Sequence, residues 1–382
     1  MSGPLHGIRV VELASMVSGP LATMHLADQG ADVIKIEQPG VGDLVRHLGP
    51  QRGGMTAVFA VINRNKRSVE LDLKTDDGKA TLGRIVATSD VVVQNFRPGV
   101  VERMGIGYDD LRKHRADLVY VSISGFGRTG PYAQKRVYDP IIQAISGLAA
   151  IQADRDTGRP KMVRTIIPDK ITAMTAAQAI TAALFSRERS GKGQHIELAM
   201  LDATLSFVWP EGMVRHTFLG DDIAHAQPGS TSDLIYETTD GYVTASTMTD
   251  KEWQGMARAM EKPEWLEDER FSTPAARVSN MSTRLNVIQE GLGRFTTEEC
   301  LRRLEAEDVP CAEVLTREGV LADPQVAENE LLVETEHPHA GAMRMPRPAA
   351  RFRATPAEIR TPAPTLGEHT AEVLREMGIV KR

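Results

Sequence analysis

Short apolar runs alternate with stretches of helical spacing through the first third of the chain. Residues 8–13 (IRVVEL) form one run, SGP then opens a helical pattern through Leu21, Met24 and Leu26, and DVIKIE at 32–37 is a second run. That order is β-α-β. SVELDL at 68–73 predicts a third strand, followed by a helix over 75–88, the strand DVVVQNF over 90–96, another helix and the strand LVYVSISGF over 118–126. Strands alternating with helices imply an α/β fold with a Rossmann-like parallel sheet covered on both faces. From Ile171 to Arg189 the chain is dense in alanine, and Gly191 and Gly193 follow as stop signals, so a long helix is expected there. Beyond residue 206 the pattern changes. QPGSTSDLIYETTDGYVTAST reads as two strands joined at Asp240-Gly241, and the following stretch is helical and charged. The tail is rich in proline and ends in one amphipathic helix within TLGEHTAEVLREMG. The expected division is a large Rossmann-like domain of residues 1–206 plus 325–382 and a smaller α+β domain of residues 207–324.

Composition narrows the class. At 382 residues the chain exceeds what one core usually serves, and 41% apolar with 25% charged residues is the balance of a globular protein. No segment approaches about 18 uninterrupted apolar residues and the N-terminus has no basic stretch leading into an apolar run, so a cytoplasmic location is expected. The two cysteines, Cys300 and Cys311, lack metal-ligand company and read as reduced structural thiols; no metal is assigned. A net charge of −6, with no basic domain, argues against a nucleic-acid partner.

The first β-α turn, ASMVSGP, lacks G-x-G-x-x-G spacing, which sets a conventional dinucleotide site aside. Ligands of open α/β sheets still gather at the carboxyl ends of the strands, here ASMVSGP, EQPGVGD, NFRPG and SGFGRTGP. Asp169, after Pro168, sits where an N-cap of the long helix would. From position alone it reads either as a plain cap or as a catalytic carboxylate. Arg64, Lys66, Arg67, Lys74, Arg97, Arg103, Lys135 and Arg136 could neutralise phosphates or belong to a solvated face. His195 and His216 have no neighbour at ligand spacing and read as structural.

The segments SGPLATMHLADQGADVIKIEQPGVGD, NRNKRSVELDLK, NFRPGVVERMG, SISGFGRTGP, YDPIIQAISGL and RERSGKGQHIELAMLDA, in this order, resemble the class III CoA-transferases. That group includes formyl-CoA and carnitine CoA-transferases, and the likeness spans nearly the whole chain. It implies the fold of that class, an intertwined homodimer and transfer of coenzyme A from an acyl-CoA donor to a carboxylic acid. No permanently bound cofactor is implied, since CoA and acyl-CoA are substrates. The family's nucleophilic aspartate matches Asp169, in IIPDKITAM; it would pass through an aspartyl anhydride and an aspartyl-CoA thioester. CoA contacts carried over to matching positions are Val17 and Ser18 near the thiol, Leu71, Asp72, Leu73, Lys74, Asn95, Phe96 and Arg97 along the nucleotide, and Arg103, Lys135, Arg136 and Tyr138 towards the diphosphate. Gln38 stands where formyl-CoA transferase has an arginine after I-K-I-E, which puts one nucleotide contact in doubt. That enzyme's glycine-rich loop has no counterpart in the 220–250 region, so oxalate and formate lose ground. Succinyl-CoA with a dicarboxylate or another short acid is the expected pairing, with Arg164, Arg215 and His216 as candidate partners of the acceptor. The 2-methylacyl-CoA racemases share the fold but need a histidine in G-H-D, where this chain has Val137-Tyr138-Asp139, and a tyrosine of pKa near ~10 is a poor base at neutral pH. A non-catalytic acyl-CoA binder is the other alternative, and the retained Asp169 argues against it.

Overall fold

The computed structural model describes residues 3–154, 156–220 and 233–379. The chain divides into two compact units, one of Met1–Asp154, Arg159–Val208 and Glu328–Arg382, the other of Trp209–Ala327 with Arg155–Gly158.

The first unit is built on six strands: β1 (Arg9–Glu12), β2 (Asp32–Glu37), β3 (Lys66–Glu70), β4 (Val91–Gln94), β5 (Val119–Ser124) and β6 (His195–Ala199). They lie in the order β3-β2-β1-β4-β5-β6, every neighbouring pair parallel. Val10, Val33, Val91, Val93, Val119, Val121 and Ile123 cover one face. Helices α1 (Ser18–Asp28) and α5 (Ile167–Ser190) pack there through Ala22, Leu26, Ala173, Ala176, Ile180 and Ala183. The recurrence of small residues at helical spacing along α5 is what allows so long a helix to lie close to both the sheet and α1. The other face buries Val11, Ile34, Val69, Val92 and Tyr120 beneath α2 (Asp76–Ala87), α3 (Val100–Met104) and α9 (Thr370–Glu376). Strand order reverses between β1 and β4, and their carboxyl ends therefore flank the crevice in which open α/β sheets place ligands.

Residues 328 onward complete this unit. Asn65 receives the backbone N–H groups of Arg360 and Thr361 on its side-chain oxygen and donates to Glu358 O at 2.8 Å. Arg67 on β3 pairs with Glu372 and Glu376 of α9 at 2.9 and 2.6 Å. These contacts decide the reading of NRNKRS. Arg64 and Lys66 are buried, paired to Asp28 and Glu12, and Arg67 is half-buried between Asp32 and α9, so none of the three belongs to a solvated face or a phosphate site. The same burial moves the third strand to Lys66–Glu70 from the expected 68–73: an ammonium with partners inside the protein is no obstacle to a strand.

In the second unit β7 (Ile235–Glu237) and β8 (Tyr242–Ala245) pair antiparallel across Asp240-Gly241, and β9 (Cys311–Glu313) adds to β8. Helices α6 (Asp250–Ala259), α7 (Met281–Leu292) and α8 (Thr297–Ala306) enclose Tyr236, Val243, Trp253, Met256, Trp265, Phe271 and Leu292. A capping box of Thr249 and Glu252 starts α6. Both cysteines are free thiols, and burial pushes Cys300 up to about 11. Among the described residues no helix is long and apolar enough to cross a membrane.

Candidate active site

The turn leaving β1 is held from three sides. Asn95, just past β4, receives the Ser15 amide at 3.0 Å and donates to Ser15 O at 2.7 Å. Asp43 receives the Met16 amide at 3.0 Å, and Lys35 from β2 donates to Ala14 O at 3.0 Å. Met16 takes up a φ of 68°, a left-handed conformation that costs a side-chain-bearing residue about 1–2 kcal/mol. Gly19 lies so close to the same turn that a Cβ there would sit 2.3 Å from that of Ala14. Only glycine lets α1 start against the turn.

Beneath the turn lies a buried ionic cluster. Glu12 accepts from Lys35 at 2.6 Å, from Lys66 at 2.8 Å and from the Thr23 hydroxyl, and Lys35 also reaches Asp43 at 2.8 Å. Burial pushes the Glu12 carboxyl up, but the two ammonium groups outweigh it and hold it at about 2. Lys66, with Glu12 as its partner and Lys35 nearby, is pushed down by burial to about 8.

Asp169 comes to this turn from α5. It is the third residue of the helix, not its cap: Pro168, whose fixed φ suits a first turn, lets the helix begin at Ile167. Its carboxylate reaches across to the start of α1, where it accepts from the Ser18 hydroxyl, and the nearby Ser18 amide also favours its charged form. The Asp169 N–H donates to Asp139 at 3.3 Å, and buried Asp139 accepts from Gln143 at 2.7 Å, both on α4 (Asp139–Ile145). Burial raises the Asp169 pKa above the ordinary aspartate value and the Asp139 charge adds to that, while the Ser18 bonds work the other way. A carboxylate so placed is partly desolvated, and it stands beside the start of α1, which has no side-chain cap.

The remaining candidates stand around this point. Val17 and Ser18 are buried at the start of α1; Gln38 is exposed beyond β2; Leu71, Asp72, Leu73 and Lys74 link β3 to α2; and Asn95, Phe96 and Arg97 follow β4. Leu71, Leu73 and Phe96 pack against the sheet core. Phe96 and Arg97 line a cavity of about 210 Å³ with Ser124, Gly127, Arg128 and Glu197. Arg103 is exposed on α3, and Lys135, Arg136 and Tyr138 are exposed before α4. His195 is half-buried, bonded to Ser122 at 2.9 Å and stacked on Tyr108. Arg164 is exposed in the first unit, whereas Arg215 and His216, in the second, bond to each other at 3.1 Å. The 220–250 region, expected to lack a glycine-rich loop, lies partly outside the described residues.

Residues 5–370 match the model of CoA-transferase family III. The chain belongs to that family. It is 34% identical over 389 residues to a succinate–glutarate CoA-transferase of Agrobacterium fabrum, covering 99% of this chain and 97% of the relative. The human succinyl-CoA:glutarate CoA-transferase is 31% identical over 98% of this chain and 86% of its own. The formyl-CoA:oxalate CoA-transferase of Shigella sonnei is 32% identical over 99% and 96%. A CAIB/BAIF family protein from Brucella suis superposes with a TM-score of 0.84 at 31% identity, covering 99% of this chain and 100% of that one. This family III protein is therefore an enzyme of the CoA-transferase type, with CoA thioesters as substrates.

Sequence reasoning missed Asp43, Glu12, Lys35, Asp139 and Gln143. Charged residues inside VVEL and DVIKIE are the one available signal, since Glu12 and Lys35 interrupt otherwise apolar runs on central strands.

Proposed function

We propose that this family III enzyme transfers CoA through Asp169, with succinyl-CoA as donor and a short dicarboxylate as acceptor. The observation that carries the reading is the Asp169 carboxylate, half-buried and bonded to Ser18 where the β1 and β4 turns meet. The carboxylate attacks the thioester carbonyl, the C–S bond breaks, and a mixed anhydride and CoA thiolate result. The thiolate attacks the aspartyl carbonyl of the anhydride, releasing the donor acid and leaving an aspartyl-CoA thioester. The acceptor carboxylate then repeats the sequence in reverse, regenerating Asp169 and a new acyl-CoA. No water enters, so the thioester's free energy is retained provided the site stays dry.

CoA would run along the carboxyl edge of the sheet. Loops carrying Leu71–Lys74, Gln38, Val17–Ser18 and Asn95–Arg97 follow one another there in the strand order β3-β2-β1-β4, which suits an extended ligand whose thiol ends at Ser18. Leu71, Leu73 and Phe96 would contribute main-chain contacts, because their side chains face the core. A homodimer is part of the proposal. Met174 and Phe185 are 64% and 65% exposed on α5, an unusual exposure for large apolar residues on a core helix, and a second copy would cover them.

The test incubates the protein with succinyl-CoA and a pool of free acids and reads CoA esters by mass spectrometry. New esters that disappear with Asp169→Ala are expected, a loss of about 10³-fold or more. Esters formed equally by Asp169→Ala would overturn the assignment.

A further inference from the structure

We infer that Asp43 is a positioning residue for Asp169: it holds Met16 in its left-handed conformation, so that the Ser18 hydroxyl meets the nucleophile. The inference rests on the reading of Asp169 as nucleophile. Asp43 touches neither Asp169 nor Ser18 in the bonds described, and acts through the turn between them.

The carboxylate of Asp43 is divided between two tasks. Its Oδ1 accepts the Met16 amide at 3.0 Å and the Val45 amide at 3.1 Å, while its Oδ2 accepts the Lys35 ammonium at 2.8 Å. Its own N–H donates to Glu37 at 2.9 Å, and Glu37 is fixed by a two-pronged pair with Arg46 at 2.7 and 2.8 Å. Both the side chain and the main chain of Asp43 are therefore anchored to β2 before it reaches the turn, and it is buried. Lys35 closes the figure, because the same ammonium that neutralises Asp43 donates to Ala14 O on the other side of the strained residue. Ser15, between them, is fixed by Asn95. The turn thus has side-chain bonds at Ala14, Ser15 and Met16 in succession, and helix α1 with Ser18 begins directly after.

A left-handed residue that bears a side chain persists only where its surroundings over-determine it. Glycine would adopt φ 68° without that help, yet the chain has Met16 there. The bond from Asp43 to the Met16 amide is the one made at the strained residue itself. It sets the direction in which the chain enters α1, and so the placing of the Ser18 hydroxyl against Asp169. Misplacement of a reacting group by about 1 Å costs around 100-fold in rate, so a small relaxation of this turn is read directly in turnover.

Asp43→Asn tests the assignment, since an amide of the same size cannot accept on both sides. We expect kcat to fall about tenfold or more with the KM for acyl-CoA within about threefold. Adding Met16→Gly to Asp43→Asn should recover about fivefold or more in kcat per folded enzyme, because glycine takes φ 68° without the Asp43 bond; a role confined to stability would leave kcat per folded enzyme unchanged in both variants. A kcat for Asp43→Asn within about twofold of the parent, or no recovery with Met16→Gly, overturns the proposal. Should Asp43→Asn fail to fold, Met16→Val against Met16→Gly reads the same device: the β-branched residue is expected to be about fivefold slower or more, and equal rates overturn it. Asp169→Ala separates the two readings. Transfer that survives it removes the nucleophile and this inference together, whereas a silent Asp169→Ala beside a fully active Asp43→Asn removes the positioning role alone.

Discussion

The Asp169 carboxylate is pulled in two directions by two neighbours, and its working pH range follows from the balance. Burial and the Asp139 charge favour the protonated acid, and Ser18 favours the anion, the form that the proposed attack requires. Asp139→Asn, which keeps an oxygen for the Asp169 N–H, should move the acid limb of kcat/KM to lower pH. Ser18→Ala should move it to higher pH and lower the plateau by about 10- to 100-fold. Opposite displacements in pH profiles of the two variants are the expected result; displacement in the same direction would sink the account. In the sequence Asp139 stands only as the third member of Val137-Tyr138-Asp139, beside the exposed tyrosine. What the sequence could not show is that Asp139, one turn of α4 before Gln143, holds the amide of Asp169.

At the scale of elements, strands β1, β2 and β3 are tied by charge as much as by their ladders. Glu12, Lys35 and Lys66 lie on the three adjacent strands β1, β2 and β3 and are all buried. Glu12→Gln would leave two ammonium groups facing a neutral amide and should destabilise the protein by about 3–5 kcal/mol, read as a lower urea midpoint. The pH dependence has a definite sign. The Glu12 pKa falls from an ordinary 4.5 to about 2, so its stabilisation is fully present above 4.5 and is lost as pH drops towards 2. Glu12→Gln should flatten that part of the stability curve. The parallel sheet and α1, α2 and α5 were legible from apolar runs and alanine spacing, because burial on both faces leaves that pattern. β6 was not, since HIELA at the sheet edge carries a histidine and a glutamate that resemble a loop. Nor was the fate of NRNKRS, because a run of cations reads the same on a solvated face as inside paired carboxylates.

For the molecule as a whole, size-exclusion chromatography with light scattering should give the mass of two chains, and a stable single chain of 41.8 kDa would remove the proposed homodimer. Segment order has a further consequence. Asn65 bonds to Thr361, 296 residues later, and Arg67 to α9 beyond that. On a ribosome adding about 5–20 residues per second, the nascent Asn65 waits roughly 15–60 s for its partner. During that interval the Asn65 and Arg67 side chains, and the part of the sheet face that α9 covers through Val373, stay uncovered. The large unit therefore closes only once residues 328 onward have been made, and its first strands spend most of synthesis without their last covering.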